Sequence, residues 1–125
     1  MSAHSFIKTF STLTENIENI DELIKKELKD YGVEDIYNKQ LGSLSKGQKM
    51  KINIISSFLT PSKNLLLDEP LSGLDPDSKK VLLKKIKEDD RCIIIISHET
   101  NQFRKKDFIT LRIENGVMRD DSEIN

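Results

Sequence analysis

Asp68 and Glu69 stand side by side after three leucines in the heptapeptide Asn64 to Pro70, and His98 follows a second apolar run, Cys92 to Ile96. Adjacent carboxylates at the C-terminal end of a buried strand lie where open α/β sheets bind their ligands. There one acid can hold a hydrated Mg²⁺, and the next can orient or deprotonate an attacking water, as phosphoryl transfer to water requires. Three consecutive leucines between Pro61 and Pro70 read as a short strand buried on both faces of a parallel sheet, where polar and apolar residues do not alternate. The plain alternative is a strand running into an acidic turn. A lone histidine after a strand is ordinarily a loop or packing residue, so His98 gains meaning only if the fold brings it to the acids.

The intervening residues predict that it does. Asp75 reads as a helix N-cap with Pro76 in the first turn, where a missing N–H costs little, and Leu82, Leu83 and Ile86 supply the apolar face of that helix. Strand, helix, strand implies adjacent parallel strands joined by a right-handed crossover. Asp68, Glu69 and His98, with Ser97 beside it, then meet at one sheet edge. Lys79, Lys80, Lys84, Lys85 and Lys87 read as a solvated outer face, because Glu88, Asp89 and Asp90 follow at once. Upstream, Ser45 and Gln48 form a capping box ahead of a helix reaching Leu59, with apolar stripes Met50/Ile54/Phe58 and Ile52/Ile55/Leu59. The free amides and positive dipole end of such a helix make an anion site. Before it, Ile17, Ile20, Ile24 and Leu28 mark an amphipathic helix over Asp21 to Tyr31, stopped by Gly32, and Val33 to Leu44 is a polar connection. Asn115-Gly116 between Phe108–Ile113 and Val117–Met118 predicts a hairpin, with Asp120 to Asn125 as a frayed tail.

Taken in order and spacing, Leu44-Ser45-Lys46-Gly47-Gln48, the Leu65–Glu69 strand with its acids, Ser72-Gly73-Leu74-Asp75 and Ser97-His98 resemble the C-terminal half of an ABC transporter ATP-binding subunit. The likeness runs roughly from Leu13 to Met118. In that family these segments are the signature motif, the Walker B strand with its catalytic glutamate, the D-loop and the switch histidine. The resemblance implies an α/β chain with a partial P-loop NTPase (ABC ATPase) fold: a parallel-sheet core, a helical subdomain and a C-terminal β-hairpin. Residues 1–43 would be a remnant of the helical subdomain, and 44–125 the signature, Walker B, D-loop and switch-histidine part of the core. It further implies that Asp68 holds Mg²⁺ through water and that Glu69 and His98 are catalytic, His98 contacting the γ-phosphate. Ser45, Lys46, Gly47 and Gln48 would close a partner's ATP site, and Asp75 would signal across the dimer. Lys46 departs from the glycine of the most typical signature.

A phosphate-cradling Gly-x-x-x-x-Gly-Lys-Ser/Thr is absent: Gly42 and Gly47 have the spacing, but Gln48 and Lys49 follow. ATP and Mg²⁺ are therefore expected only in a composite site, with a P-loop half or a second nucleotide-binding subunit, and the chain alone is expected to be inactive. A membrane-spanning transporter subunit is the other expected partner. A decayed gene, a cloned half and a naturally split, truncated subunit all fit this pattern.

The chain has 125 residues, enough for one domain or part of one. Its 20 basic and 21 acidic side chains leave a net charge of -1, so nothing electrostatic favours nucleic acid or an anionic membrane. Cys92 is the sole cysteine, which excludes an internal disulfide, suits a reducing cytosol and assigns Cys92 to packing. The longest apolar run, Cys92 to Ile96, is too short to span a bilayer, and Met1 to Phe10 lacks the apolar core of a signal peptide. The expected location is cytoplasmic, peripheral at the inner face of the membrane through a partner subunit, without direct membrane insertion. Two rival readings are a soluble ABC-type ATPase of DNA repair, disfavoured because no sustained heptads or basic stripe occur, and a non-enzymatic remnant or interaction module.

Overall fold

A computed structural model describes residues 1–11, 19–98, 101–103 and 107–120. The chain opens with α1 (Ala3–Ser11), a helix that the sequence reading does not place. Ala3, Phe6, Ile7 and Phe10 recur at helical spacing, and Ala3 and Ile7 are fully buried. Residues 37–41 hold the start of α1: the Ala3 N–H donates to the Lys39 carbonyl at 2.9 Å, and the Leu41 N–H to the Met1 carbonyl at 3.0 Å. The His4 ring stacks on Tyr37 with centroids 4.5 Å apart. The polar connection of the sequence reading is thus a docking strip for the N-terminus, with Val33 and Ile36 buried beneath it.

Helix α2 (Ile20–Asp30) buries Ile20, Ile24 and Leu28 as its periodicity predicts; Ile17 lies outside the described residues. Gly32, at φ 70°, ends it in the left-handed conformation that glycine adopts without steric cost. Helix α3 (Lys46–Leu59) begins with the predicted capping box. Its far end is secured by Arg91, whose guanidinium donates to the carbonyls of Phe58 at 2.7 Å and Thr60 at 2.8 Å, while Asp89 pairs with it at 2.7 Å. A cation on the last carbonyls of a helix opposes the negative end of its dipole.

Strand β1 (Asn64–Asp68) leads through a turn to α4 (Pro76–Glu88), which returns the chain to β2 (Cys92–Ile96). The strands pair in parallel, with Asn64 opposite Cys92 and Asp68 opposite Ile96. Leu67, Leu82 and Ile86 join one buried cluster with Ile7, Ile24, Leu28, Ile52 and Ile55, so the helices and one sheet face share a core. The other face is bare: Leu65 and Leu67 are 5% and 4% exposed, but Leu66, Ile94 and Ile96 are 63%, 56% and 50% exposed. This corrects the expectation of a strand buried on both faces. Burial depends on the layers present, and among the described residues only one side of the sheet is covered. Cys92 is likewise exposed rather than a packing residue.

The lysine-rich helix also departs from a uniformly solvated face. Lys85 is largely buried, its Nζ 2.9 Å from both Glu27 and Asp30 of α2, and Lys87 reaches Asp107 at 3.1 Å. Strands β3 (Leu111–Glu114) and β4 (Val117–Asp120) form the predicted antiparallel hairpin. Asn115 and Gly116 have φ of 51° and 78°, both positive as the tight two-residue turn demands. Phe108 to Thr110 stay outside β3, Asp120 is the last residue of β4, and residues 121–125 of the predicted tail lie outside the described residues.

Candidate functional site

Parallel neighbours end on the same edge, and that places the acids and His98 together. The Glu69 N–H donates to the Ile96 carbonyl at 2.8 Å, extending the ladder one residue past β1. The Glu69 carboxylate accepts the His98 backbone N–H at 2.9 Å, and the His98 Nε2 lies 3.6 Å from the same oxygen. Asp68, at the strand end, is exposed and has no side-chain hydrogen bond or ion pair among the described residues. The His98 imidazole stands in solvent.

Glu69 itself is unusual. Its φ is 48°, left-handed for a non-glycine residue, and Pro70 follows, which disfavours helical conformations in the residue before it. Such strain costs on the order of 1–3 kcal/mol and is held in place by the surrounding structure. Here the ladder bond on its N–H, the Ser72 N–H donating to its carbonyl at 3.2 Å and the buried Pro70 and Leu71 do so. The result is a sharp turn out of β1 that carries the Glu69 side chain to the end of β2.

Ser45, Lys46, Gly47 and Gln48 form the exposed to half-buried first turn of α3. The Ser45 hydroxyl accepts the Gln48 N–H at 3.1 Å, and the Gln48 side-chain carbonyl accepts the Ser45 N–H at 2.9 Å. Gln48 is therefore folded back on the cap. Gly47 lies against the turn after β1: a Cβ added to it would sit 3.2 Å from the Gly73 carbonyl. The Asp75 carboxylate accepts the Ser78 N–H at 3.1 Å and hydroxyl at 2.8 Å, and it pairs with Lys51 at 2.9 Å. The Lys51 ammonium, then Ser78, hold the Asp75 carboxyl well below the usual carboxylate range.

Lys51 and Arg91 escaped the sequence reading. Lys51 shares a helix face with Ile54, Ile55 and Phe58, and a lysine on an apolar face is a signal for a paired, partly buried ammonium. Arg91 two residues after Asp89 gives only a weak local signal, since its main partners are carbonyls of another element.

Mg²⁺ keeps several waters and commonly takes one or two carboxylates plus phosphate oxygens. The exposed Asp68 carboxylate fits that mode. The described residues contain no group of three ligating side chains for an all-protein cage, and the sequence contains no Gly-x-x-x-x-Gly-Lys-Ser/Thr.

Solved structures that superpose on this chain give its class as the ABC ATPase form of the P-loop NTPase fold. The ABC transporter family profile matches residues 1–72, from the start of α1 rather than from Leu13. The energy-coupling factor transporter ATP-binding protein of Thermotoga maritima is 36% identical over 98 residues, covering 76% of this chain and 38% of that protein. The high-affinity zinc uptake system ATP-binding protein of Bacillus subtilis is 31% identical over 97 residues, covering 74% of this chain and 42% of that one. A solved ATP-binding subunit of an ABC transporter superposes with a TM-score of 0.81 at 19% identity, covering 99% of this chain and 55% of its own. The cbiO1 structure from Clostridium perfringens, part of the ABC transporter complex cbiONQ, superposes with a TM-score of 0.69 at 25% identity, covering 98% and 52%. The chain belongs to the ABC transporter family, among its ATP-binding subunits, and spans well under half the length of the curated relatives it matches. No helix among the described residues is long and apolar enough to cross a membrane.

Proposed function

We propose that this chain supplies the signature, Walker B, D-loop and switch-histidine part of a composite ATP-hydrolysing site that drives an ABC transporter. The observation that supports it most is the meeting of Glu69 with the His98 segment at the end of β1 and β2, beside the exposed Asp68. On this reading residues 1–43 are a remnant of the helical subdomain and 44–125 the core part. Asp68 is the residue that would hold Mg²⁺ through water, and Mg²⁺ with ATP supplies charge neutralisation on the transferred phosphoryl group when bound. Glu69 orients the attacking water and takes its proton, for which its carboxylate must leave the His98 amide. The exposed His98 imidazole is free to turn toward the phosphate. Lys46 and Gly47 present free first-turn amides to a partner's phosphates, with Ser45, Gln48 and Asp75 shaping that surface. The partners are a P-loop half or second nucleotide-binding subunit and a membrane-spanning transporter subunit, through which the chain would sit at the inner face of the membrane.

A second reading, an interaction module without turnover, draws support from the missing phosphate cradle. Fusion of the chain behind the P-loop portion of a related subunit separates the two. Phosphate release that falls at least about a hundredfold in Glu69→Gln, with circular dichroism unchanged, supports the hydrolytic reading. A fusion that folds and binds ATP without hydrolysing it, or hydrolyses it equally well as Glu69→Gln, supports the module.

A further inference from the structure

Gly47 and Lys51 are four residues apart on α3, so they point to the same side of that helix. Both meet the turn after β1. Gly47 backs onto the Gly73 carbonyl, where an added Cβ would sit 3.2 Å away and press the loop outward by a few tenths of an ångström. Lys51 Nζ lies 2.9 Å from Asp75 Oδ1 and also donates to the Tyr31 carbonyl at 3.1 Å. That carbonyl belongs to the C-terminal cap of α2, where carbonyls lack helical partners. One ammonium, 13% exposed, therefore ties together the end of α2, the second turn of α3 and the N-cap of α4. An ammonium has three donors in flexible directions, which suits this three-way junction.

We propose that Lys51 is a positioning residue that clamps the Gly73–Asp75 loop to the α3 turn carrying Ser45 to Gln48, so that the two segments move as one body. The functional weight of this clamp rests on the reading above, in which both segments face a partner's ATP site. Its consequence for Asp75 is specific. The carboxylate is spent on Lys51 and Ser78, so Asp75 acts by setting the position of its loop and not by reaching a partner. The geometry matters because the two contacts, Gly47 with Gly73 and Lys51 with Asp75, fix both the separation and the rotation of loop against helix. One contact alone would leave a pivot.

The test is amide hydrogen exchange by NMR on the chain itself, with Lys51→Met, Lys51→Arg and Asp75→Asn. The reporters are the Gln48 and Lys49 amides, bonded to Ser45, and the Ser78 and Lys79 amides, bonded to Asp75. Lys51→Met should speed exchange about tenfold at both pairs while leaving α1 unchanged, and Lys51→Arg should restore protection. The Asp75 carboxyl titration, read from its carbon shift, should move up in Lys51→Met. Asp75→Asn keeps the cap and should loosen Gln48 and Lys49 from the far side of the clamp. Unchanged protection at Gln48 and Lys49 in Asp75→Asn, or unchanged protection at Ser78 and Lys79 in Lys51→Met, overturns the proposal. None of these readouts involves nucleotide. A failed clamp is thereby distinguished from a failed hydrolytic reading, which the Glu69→Gln fusion decides.

Discussion

The surroundings of the candidate site residues decide which of them are committed. Asp68 and the His98 imidazole face solvent, whereas Asp75 is bound on both oxygens. Because the folded-state pKa of Asp75 is depressed, its contribution is present above the ordinary carboxylate value and is lost as pH falls through the folded one. Stability should therefore decline below about pH 4, and Asp75→Asn should flatten that decline in urea melts taken between pH 5 and pH 2. The side chain is half exposed, so solvent screening keeps the effect modest. Equal slopes in both proteins would show that Lys51 and Asp75 do not pair in solution.

At the scale of elements, α3 and α4 are fastened by devices at their ends. The Ser45–Gln48 box starts α3, Asp75 with Pro76 starts α4, and Arg91 closes α3 by binding the Phe58 and Thr60 carbonyls. Charge-assisted bonds of this kind are each worth about 1.5–3 kcal/mol. Arg91→Met should lower unfolding stability by about 2 kcal/mol, measured by denaturant titration, with Arg91→Lys recovering only part because one ammonium cannot span both carbonyls and Asp89. Ser45→Ala should cost about 1 kcal/mol through the lost cap. A loss of similar size at an exposed lysine such as Lys46 would mean that the caps are not the source.

For the whole molecule, the governing feature is a parallel sheet with one face covered. Leu66, Ile94 and Ile96 form an apolar surface, and burying each fully would contribute roughly 1.5–3 kcal/mol. Such a face drives association when nothing packs on it. Sedimentation of the chain should show concentration-dependent oligomers, and Ile94→Thr with Leu66→Thr should shift it toward monomer at little cost in melting temperature, since both positions are already wet. In a fusion with a P-loop half the same pair should destabilise by several kcal/mol if that half covers the face. A chain that sediments as a monomer at all concentrations would refute the association.

Sequence alone determined whatever is settled within a few residues or by a short crossover. Ser45 with Gln48, Asp75 with Pro76, Gly32 and Asn115-Gly116 announce their caps and turns because each satisfies backbone groups beside it in the chain. The strand, helix, strand order was enough to bring Asp68, Glu69 and His98 to one edge, since parallel pairing leaves no other arrangement for strand ends. Tertiary structure alone decided what depends on distant packing. It exposed Leu66, Ile94 and Cys92, because a run of apolar residues does not say whether a second layer exists. It bound the start of α1 to residues 37–41 and packed that helix against α2 and α3. It also made Lys51, Lys85 and Arg91 joints between elements, since their main partners lie far along the chain and nothing local in the sequence names them.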